Sequence, residues 1–392
     1  MEKRKKKVCF SSVLPSSPSN WERLPHDLLY SILDKLDTLS DYIRLSAVCK
    51  LWNSMALNHK EKRIQLSNNH QLPLLFARTM EDAYKPELRL YNFRPGSAKV
   101  CNFKLLVPGK NKRSKFCGSS HGWLVFFVPK KSELLVSNPF SGSIIRLPPL
   151  ISTTKVRRDI IKVALSRNPS SGSFEVLAAF GGLVAYLNFG DQFWSFSQAL
   201  QYHPLSALTF YKGSFIGVSP KGSTLEAEIA SIVSLNVIQS YNNKTSSYIE
   251  FKEIAADIEF IGRPKDYYFV ETTNGDLLLV CKLHGGTTYK IPPTYKVFKI
   301  MDSNEKLELT PVVNLDGHSL FLHNGGCISV IASNYPGCWP NAVYNLLQVQ
   351  GSSYCARIQQ FKLECGSSEI QQDGWLPSGA FEGCWILPSM RL

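Results

Sequence analysis

The chain has no long apolar run: its longest, Trp123 to Val128, is six residues, against the roughly 20 that a membrane-crossing helix needs. No transmembrane helix is expected. Cys-x-x-Cys is absent, and the ten cysteines stand singly along 392 residues. That spacing suits reduced thiols in a cytoplasmic or nuclear protein better than a disulfide framework or a zinc module. No apolar stretch of signal-peptide length precedes Pro15, so secretion is not expected and Asn243-Lys244-Thr245 is an idle glycosylation match. Residues 1–19 read as a disordered basic and Ser/Pro-rich tail, in which Lys3-Arg4-Lys5-Lys6-Lys7 is either a nuclear-import signal or merely a solvated charge run.

Negative charge is scarce in one region only. Residues 78 to 160 hold 16 Lys and Arg against 5 Asp and Glu, whereas residues 161 to 392 hold 16 against 19. A nucleic-acid binder that uses the whole chain is therefore disfavoured. The local surplus, with Lys110, Lys112, Arg113, Lys115, Lys130, Lys131, Arg157 and Arg158, suits an acidic partner or a phosphate backbone, although a solvated face is the ordinary reading of such lysines.

What is present begins with a short helical signature. Pro25 suits a helix start because its missing N–H would be unpaired there, and Asp27 places negative charge at the positive end of the dipole. Leu28, Leu29, Ile32, Leu33 and Leu36 then form one broad apolar face. A second helix is expected from about Asp41 with Ser40 as its N-cap, placing Leu45, Val48, Cys49 and Trp52 at i, i+3, i+4 and i+7. Units of roughly 40 residues or fewer seldom fold alone without metal, disulfide or partner, and residues 20–60 show no metal-ligand spacing. Another protein is the expected support.

The ordered set Leu24-Pro25, Asp27-Leu28-Leu29, Ile32-Leu33, Leu36, Leu39-Ser40-Asp41, Arg44-Leu45, Ala47-Val48-Cys49-Lys50 and Trp52 resembles the F-box, the adaptor-binding helical module of cullin-RING ubiquitin ligases, over residues 20–60. The resemblance implies docking on a Skp-type adaptor. It also implies that Leu24, Pro25, Leu28, Ile32, Leu33, Leu45, Val48, Cys49 and Trp52 divide between adaptor contact and the module's own packing, in proportions the sequence does not set.

Residues 61–87 read as a linker or packing segment, helical or looped. From Leu88 onward short β-rich runs take over, bounded by Gly, Pro, Asn and Ser: Trp123–Val128, Glu133–Val136, Ile144–Leu147, Lys162–Leu165, Phe174–Ala179, Val184–Phe189, Phe215–Val218, Leu277–Val280, Lys296–Ile300 and Ile328–Ala332. A glycine precedes a strand in His121-Gly122, Gly181-Gly182, Lys212-Gly213, Asn274-Gly275 and Gly325-Gly326, as tight hairpin turns with positive φ require. Asn138-Pro139-Phe-Ser-Gly-Ser143 is echoed by Asn168-Pro169-Ser-Ser-Gly-Ser173, which suggests degenerate duplication. Blades of a β-propeller take roughly 40 to 50 residues each, giving about six or seven here. A large β-sandwich or two stacked β-domains are the competing architecture.

Ser119-Ser-His-Gly-Trp-Leu-Val-Phe-Phe127, Asn138-Pro-Phe-Ser-Gly-Ser-Ile-Ile-Arg-Leu-Pro-Pro149, Phe210-Tyr-Lys-Gly-Ser-Phe215, Tyr268 to Val280, Tyr295-Lys-Val-Phe-Lys299, Ser319-Leu-Phe-Leu322 and Ser333-Asn-Tyr-Pro-Gly-Cys338 resemble the plant F-box proteins with a Kib-type β-propeller, formerly a plant domain of unknown function. Departures fall at Ile216-Gly217 and Tyr344-Asn345. The resemblance implies an α+β multidomain chain: a small helical F-box, then a mainly-β propeller over residues 88–392. Functionally it implies a non-catalytic substrate-recognition subunit of a Skp-cullin-F-box type ligase, needing no cofactor or metal. The alternative is a regulatory propeller that sequesters or inhibits a partner such as a kinase, with ligase docking secondary. The protein target and the propeller face that binds it are not specified by the sequence; no membrane is implied and nucleic acid is not expected.

Three local patterns imitate catalysis or ligation. Gly118-Ser119-Ser120-His121-Gly122 fits the spacing of a nucleophile elbow, but a strand rather than a helix is expected after it, so Ser120 and His121 read as hairpin residues. Gly217 to Gly222 has phosphate-loop spacing, yet Ser223 stands where lysine should, so a turn is expected. His318, His323 and Cys327 spell no tetrahedral site.

Overall fold

The computed structural model describes residues 24–36, 45–46, 48–66, 73–82, 85–92, 103–104, 114–139, 142–150, 161–197, 205–223, 227–239, 247–262, 264–283, 292–303, 306–323, 326–335, 337–349, 355–370 and 382–386. Expectations for Lys3–Lys7, Ser40, Asp41, Asn243 and the basic cluster at 110–113 lie outside these residues. The chain divides into two compact units, Met1–Asn68 and Asn69–Leu392.

The first unit is helical. Helix α1 spans His26–Asp34, with Pro25 in the extended N-cap conformation, one position earlier than a first-turn proline. The Pro25 carbonyl accepts from the amides of Leu28 and Leu29, starting the helix. Helix α2 spans Lys50–Leu66, so the expected continuous helix through Leu45 and Trp52 is corrected. Leu45 and Ser46 are helical, the chain bends at Val48, and a new helix begins after Cys49. The Cys49 Sγ accepts from the Trp52 amide at 3.5 Å, taking the place of a hydroxyl or carboxylate cap. The stripe that α2 turns inwards is Trp52, partly exposed, then the buried Met55, Ala56 and His59, spaced i, i+3, i+4 and i+7. At its end the His59 ring meets Tyr30 at 5.4 Å and the Asp34 carboxylate at 2.9 Å, fastening α2 to α1.

The second unit is a β-propeller whose described strands form six sheets, five of four strands and one of five. Strands β1 (Leu74–Asp82), β2 (Lys85–Asn92) and β3 (Phe103–Lys104) open the first sheet. The second holds β4 (Lys115–Ser120), β5 (Trp123–Val128), β6 (Glu133–Ser137) and β7 (Ile144–Pro149). The third holds β8 (Ile161–Leu165), β9 (Glu175–Phe180), β10 (Leu183–Asn188) and β11 (Ser195–Ser197). The fourth has longer strands, β12 (Ala207–Tyr211), β13 (Ser214–Ser223), β14 (Ala227–Gln239) and β15 (Ser247–Ile261), and the fifth holds β16 (Pro264–Glu271), β17 (Leu277–Leu283), β18 (Thr294–Ser303) and β19 (Lys306–Val312). The sixth contains β20 (His318–Leu322), β21 (Ile328–Ile331), β22 (Ala342–Val349), β23 (Cys355–Lys362) and β24 (Ser367–Ile370), with β20 and β22 paired in parallel.

The last strand, β25 (Glu382–Ile386), returns to β1 with Leu74 opposite Ile386 and Phe76 opposite Cys384, becoming the inner edge of the first sheet. Inner strands then touch in series: β4 meets β8, β8 meets β12, β12 meets β16, β16 meets β21, and β25 meets both β20 and β4. The ring is closed by strands from opposite ends of the unit, so β1 is paired on both sides and the inner edge is the short β25, lying against β20 and β4. This corrects the expected linker at 61–87. Residues 74–82 are a paired strand of the first blade, so the sheet region starts before residue 88.

Apolar packing lies between neighbouring sheets because alternate residues of each strand face opposite neighbours. Val125, Phe127, Leu134 and Val136 of the second sheet meet Val163, Leu165, Val176 and Ala178 of the third, while Ala164, Leu177 and Val184 face Phe215 and Val233 of the fourth. Polar side chains stitch the same seams. Trp123 Nε1 donates to Asn168 Oδ1 at 3.1 Å, and the Tyr267 hydroxyl to Glu228 at 2.8 Å. Asn345 Nδ2 donates to the Tyr295 hydroxyl at 2.6 Å, and that hydroxyl to Gln359 Oε1 at 3.0 Å.

Of the five glycine-bearing turns, that at Gly325 lies outside the described residues; the other four join antiparallel strands, and Asn274-Gly275 links the first and second strands of the fifth sheet. His121-Gly122 and Lys212-Gly213 have positive φ at both residues and join the first and second strands of their sheets. Gly181-Gly182 has the same geometry between the second and third strands. The Asn138 and Asn168 segments likewise join third to fourth and first to second strands. Three glycine turns thus recur between the first and second strands of their sheets, where tight turns need positive φ, whereas the Asn138 and Asn168 echo falls at non-equivalent positions and gives no support to duplication. Gly217 to Gly222 is also corrected: it lies inside β13, with a register shift between Pro220 and Gly222, and is not a turn.

Candidate functional site

The first unit sorts the expected adaptor-binding residues by exposure. On α1, Leu29 and Leu33 are fully buried, whereas Leu28, on the adjoining stripe, is 56% exposed and Ile32, one turn on, is partly exposed. Val48 at the bend is 59% exposed, Leu45 is buried, and Leu24, Cys49 and Trp52 are partly exposed. Pro25 is exposed. Leu33 and Leu45 therefore serve the unit's own packing, and Cys49 caps α2. Pro25, Leu28 and Val48 present apolar surface to solvent, with Leu24, Ile32 and Trp52 intermediate. Leu51, not singled out from the sequence, is 36% exposed on the first turn of α2. Its signal was the i+3 spacing from Val48, hidden because α2 starts at Lys50 rather than near Asp41.

In the propeller, the serine-rich Gly118–Gly122 segment joins β4 to β5, strand to strand, and His121 Nε2 lies 3.3 Å from the Leu165 carbonyl. A nucleophile elbow needs a following helix, and this turn lacks one. His318 is held between the Leu315 carbonyl at 2.8 Å and the Thr273 hydroxyl at 2.7 Å. Among the described residues, no group of three His, Cys, Asp or Glu is placed to hold a metal. Burial pushes the Cys327 thiol up to about 12, away from thiolate chemistry.

A family profile described as "KIB1-4 beta-propeller" matches residues 90–362, and one described as "F-box-like" matches residues 21–61. The chain is similar to "F-box protein At3g56470" of Arabidopsis thaliana, 34% identical over 128 residues that make up 32% of this chain and 30% of that protein. Similarity to "Putative F-box protein At5g55150" of the same plant is 23% over 356 residues, 84% of this chain and 86% of the other. Among solved structures, an α-L-arabinofuranosidase, Arb93A, from Fusarium graminearum aligns with 82% of this chain and 94% of its own, at 12% identity and a TM-score of 0.31. With an F-box-like segment ahead of six sheets closed into a ring, the chain belongs to the KIB1-4 β-propeller family.

Proposed function

We propose that this protein is the substrate-recognition subunit of a Skp-cullin-F-box type ubiquitin ligase, working in the cytoplasm or nucleus. The helical unit docks on the adaptor and the propeller carries a protein target. The observation that supports this most is the exposed apolar set Leu28, Val48 and Leu51 on a unit of this size. Fully burying one such side chain is worth about 1.5–3 kcal/mol, so a partner surface that covers several of them gains a large part of its affinity there. The fold needs no reacting group for this role. Holding a target close to a conjugating enzyme raises its effective concentration, and the chemistry takes place on other subunits.

Leu28→Asp places a carboxylate where the adaptor would have to desolvate it, and Val48→Asp does the same at the bend. Each variant should lose adaptor on co-purification while circular dichroism stays that of the wild type, because both side chains are exposed. Retention of adaptor by both variants would reject the docking surface. Target abundance that stays constant on depletion of the chain, with target activity rising, would favour sequestration over ubiquitination.

A further inference from the structure

Strand β15 is the outermost strand of the fourth sheet and runs for 15 residues. The outermost strands of the second, third and fifth sheets have 6, 3 and 7 residues. Among the described residues no strand pairs with the outer edge of β15, so its outward N–H and C=O groups form a template for one more strand. Ser247 to Glu253 pair with Gln239 to Val233 without a break, and a register shift ends the regular stretch beyond Glu253.

Part of that stretch also lacks support from the inner side. Pairing between β13 and β14 starts at Phe215 opposite Leu235, whereas β14 and β15 stay paired out to Gln239 opposite Ser247. Asn236 to Gln239 and Ser247 to Glu250 therefore form a two-stranded ribbon that reaches past the end of β13. Two strands alone are marginally stable in water, and a third on the outer edge steadies them.

The charges on the edge select the strand that fits. Glu250 and Lys252 are both exposed and, two residues apart, stand on one face of β15. Their neighbours on β14, Asn236 and Ser234, are uncharged and bonded to each other, Ser234 Oγ donating to Asn236 Oδ1 at 3.2 Å. Neither Glu250 nor Lys252 has an ion-pair partner among the described residues, whereas Glu253 is answered within the chain by the Lys221 ammonium at 3.0 Å. Directly opposite residues of an antiparallel pair share a face, and opposite charges there attract. A second β15 laid antiparallel to the first, with Phe251 opposite its own copy, sets Glu250 of each copy opposite Lys252 of the other. The edge is complementary to itself, as a two-fold interface has to be.

We propose that two copies of this chain pair through their β15 edges, antiparallel about Phe251, with two Glu250–Lys252 contacts across the join. The two fourth sheets then run on as one. The pairing goes beyond adaptor docking and needs none of it.

The test is sedimentation equilibrium of the purified full-length chain over a range of concentrations, in which the wild type should show a reversible monomer–dimer equilibrium. Glu250→Lys and Lys252→Glu each set like charges opposite one another at both contacts and should weaken pairing about tenfold, while the two substitutions together should bring it back to within about threefold of the wild type. Leu28→Asp, which addresses adaptor docking, should pair like the wild type. Backbone amides within Ser247 to Glu253 should exchange with deuterium more slowly as the chain concentration rises. A chain that stays monomeric at every concentration, single variants that pair as well as the wild type, a double variant as weak as the single ones, or loss of pairing in Leu28→Asp would each overturn the proposal, as would exchange that ignores concentration.

Discussion

Leu28 of the helical unit and Phe321 of the propeller are both large apolar side chains, yet the first is 56% exposed and the second fully buried, stacked 4.6 Å from Tyr344 and edge-on to Trp385. The propeller closes its ring because its last strand returns to its first, and Trp385 reaches across to donate to the Leu322 carbonyl at 3.2 Å, while Phe193, Val313 and Ile261 stay exposed on its outer parts. The helical unit has two described helices, one buried seam and apolar side chains left outside that seam. What separates the units is therefore where their missing surface comes from. The propeller's first sheet takes its inner strand from the C-terminal segment, whereas Leu28, Val48 and Leu51 of the helical unit stay exposed.

The comparison breaks most sharply at Trp385, which is fully buried on the closing strand. Trp385→Ala should cost about 3–5 kcal/mol and lower the propeller's melting transition by several degrees in calorimetry. An unchanged transition would show that β25 is not needed to close the ring. The next contrast lies within one helix. Leu29→Ala empties a fully buried position and should cost the helical unit about 2–5 kcal/mol, whereas Leu28→Ala should alter its stability by under about 0.5 kcal/mol yet weaken adaptor binding around tenfold. Equal losses of stability for the two would erase the distinction between seam and docking surface. A smaller effect is expected at the fastener between the helices. Asp34→Ala leaves the buried His59 Nε2 without its 2.9 Å partner, a change worth about 1–2 kcal/mol in chemical denaturation. The smallest belongs to a propeller turn: Gly213 has φ +86°, and no atom lies within 4 Å of the point a Cβ would occupy. Gly213→Ala should therefore cost only the backbone strain, about 1 kcal/mol.

The parts of the fold that could be read from the sequence are those set by neighbouring residues. The expected runs from Trp123–Val128 to Ile328–Ala332 all coincide with strands, with ends shifted by a few residues, because six apolar residues between turn-forming ones fit a buried strand. Strands β1 and β2 carry no such signal. Arg78, Glu81, Asp82, Lys85, Glu87 and Arg89 make them polar, and β1 gains its inner partner only from Glu382–Ile386, a pairing that no local pattern announces. The parallel pairing of β20 with β22 is hidden for the same reason.

Within the helical unit the residue types are legible and their division is not. The α1 stripe is visible as a whole, but whether Leu28 or Leu29 is covered depends on the packing of α2. The start of α2 is set by a thiol cap at Cys49, outside the usual set of Ser, Thr, Asp and Asn.

The most direct measurement of the central claim is the dissociation constant of the full-length chain for a Skp-type adaptor, compared between Leu28→Asp and Ile144→Asp, the latter an apolar residue 41% exposed on the propeller. The account predicts at least a hundredfold loss for Leu28→Asp and wild-type affinity for Ile144→Asp. Equal affinities for the two variants would contradict it.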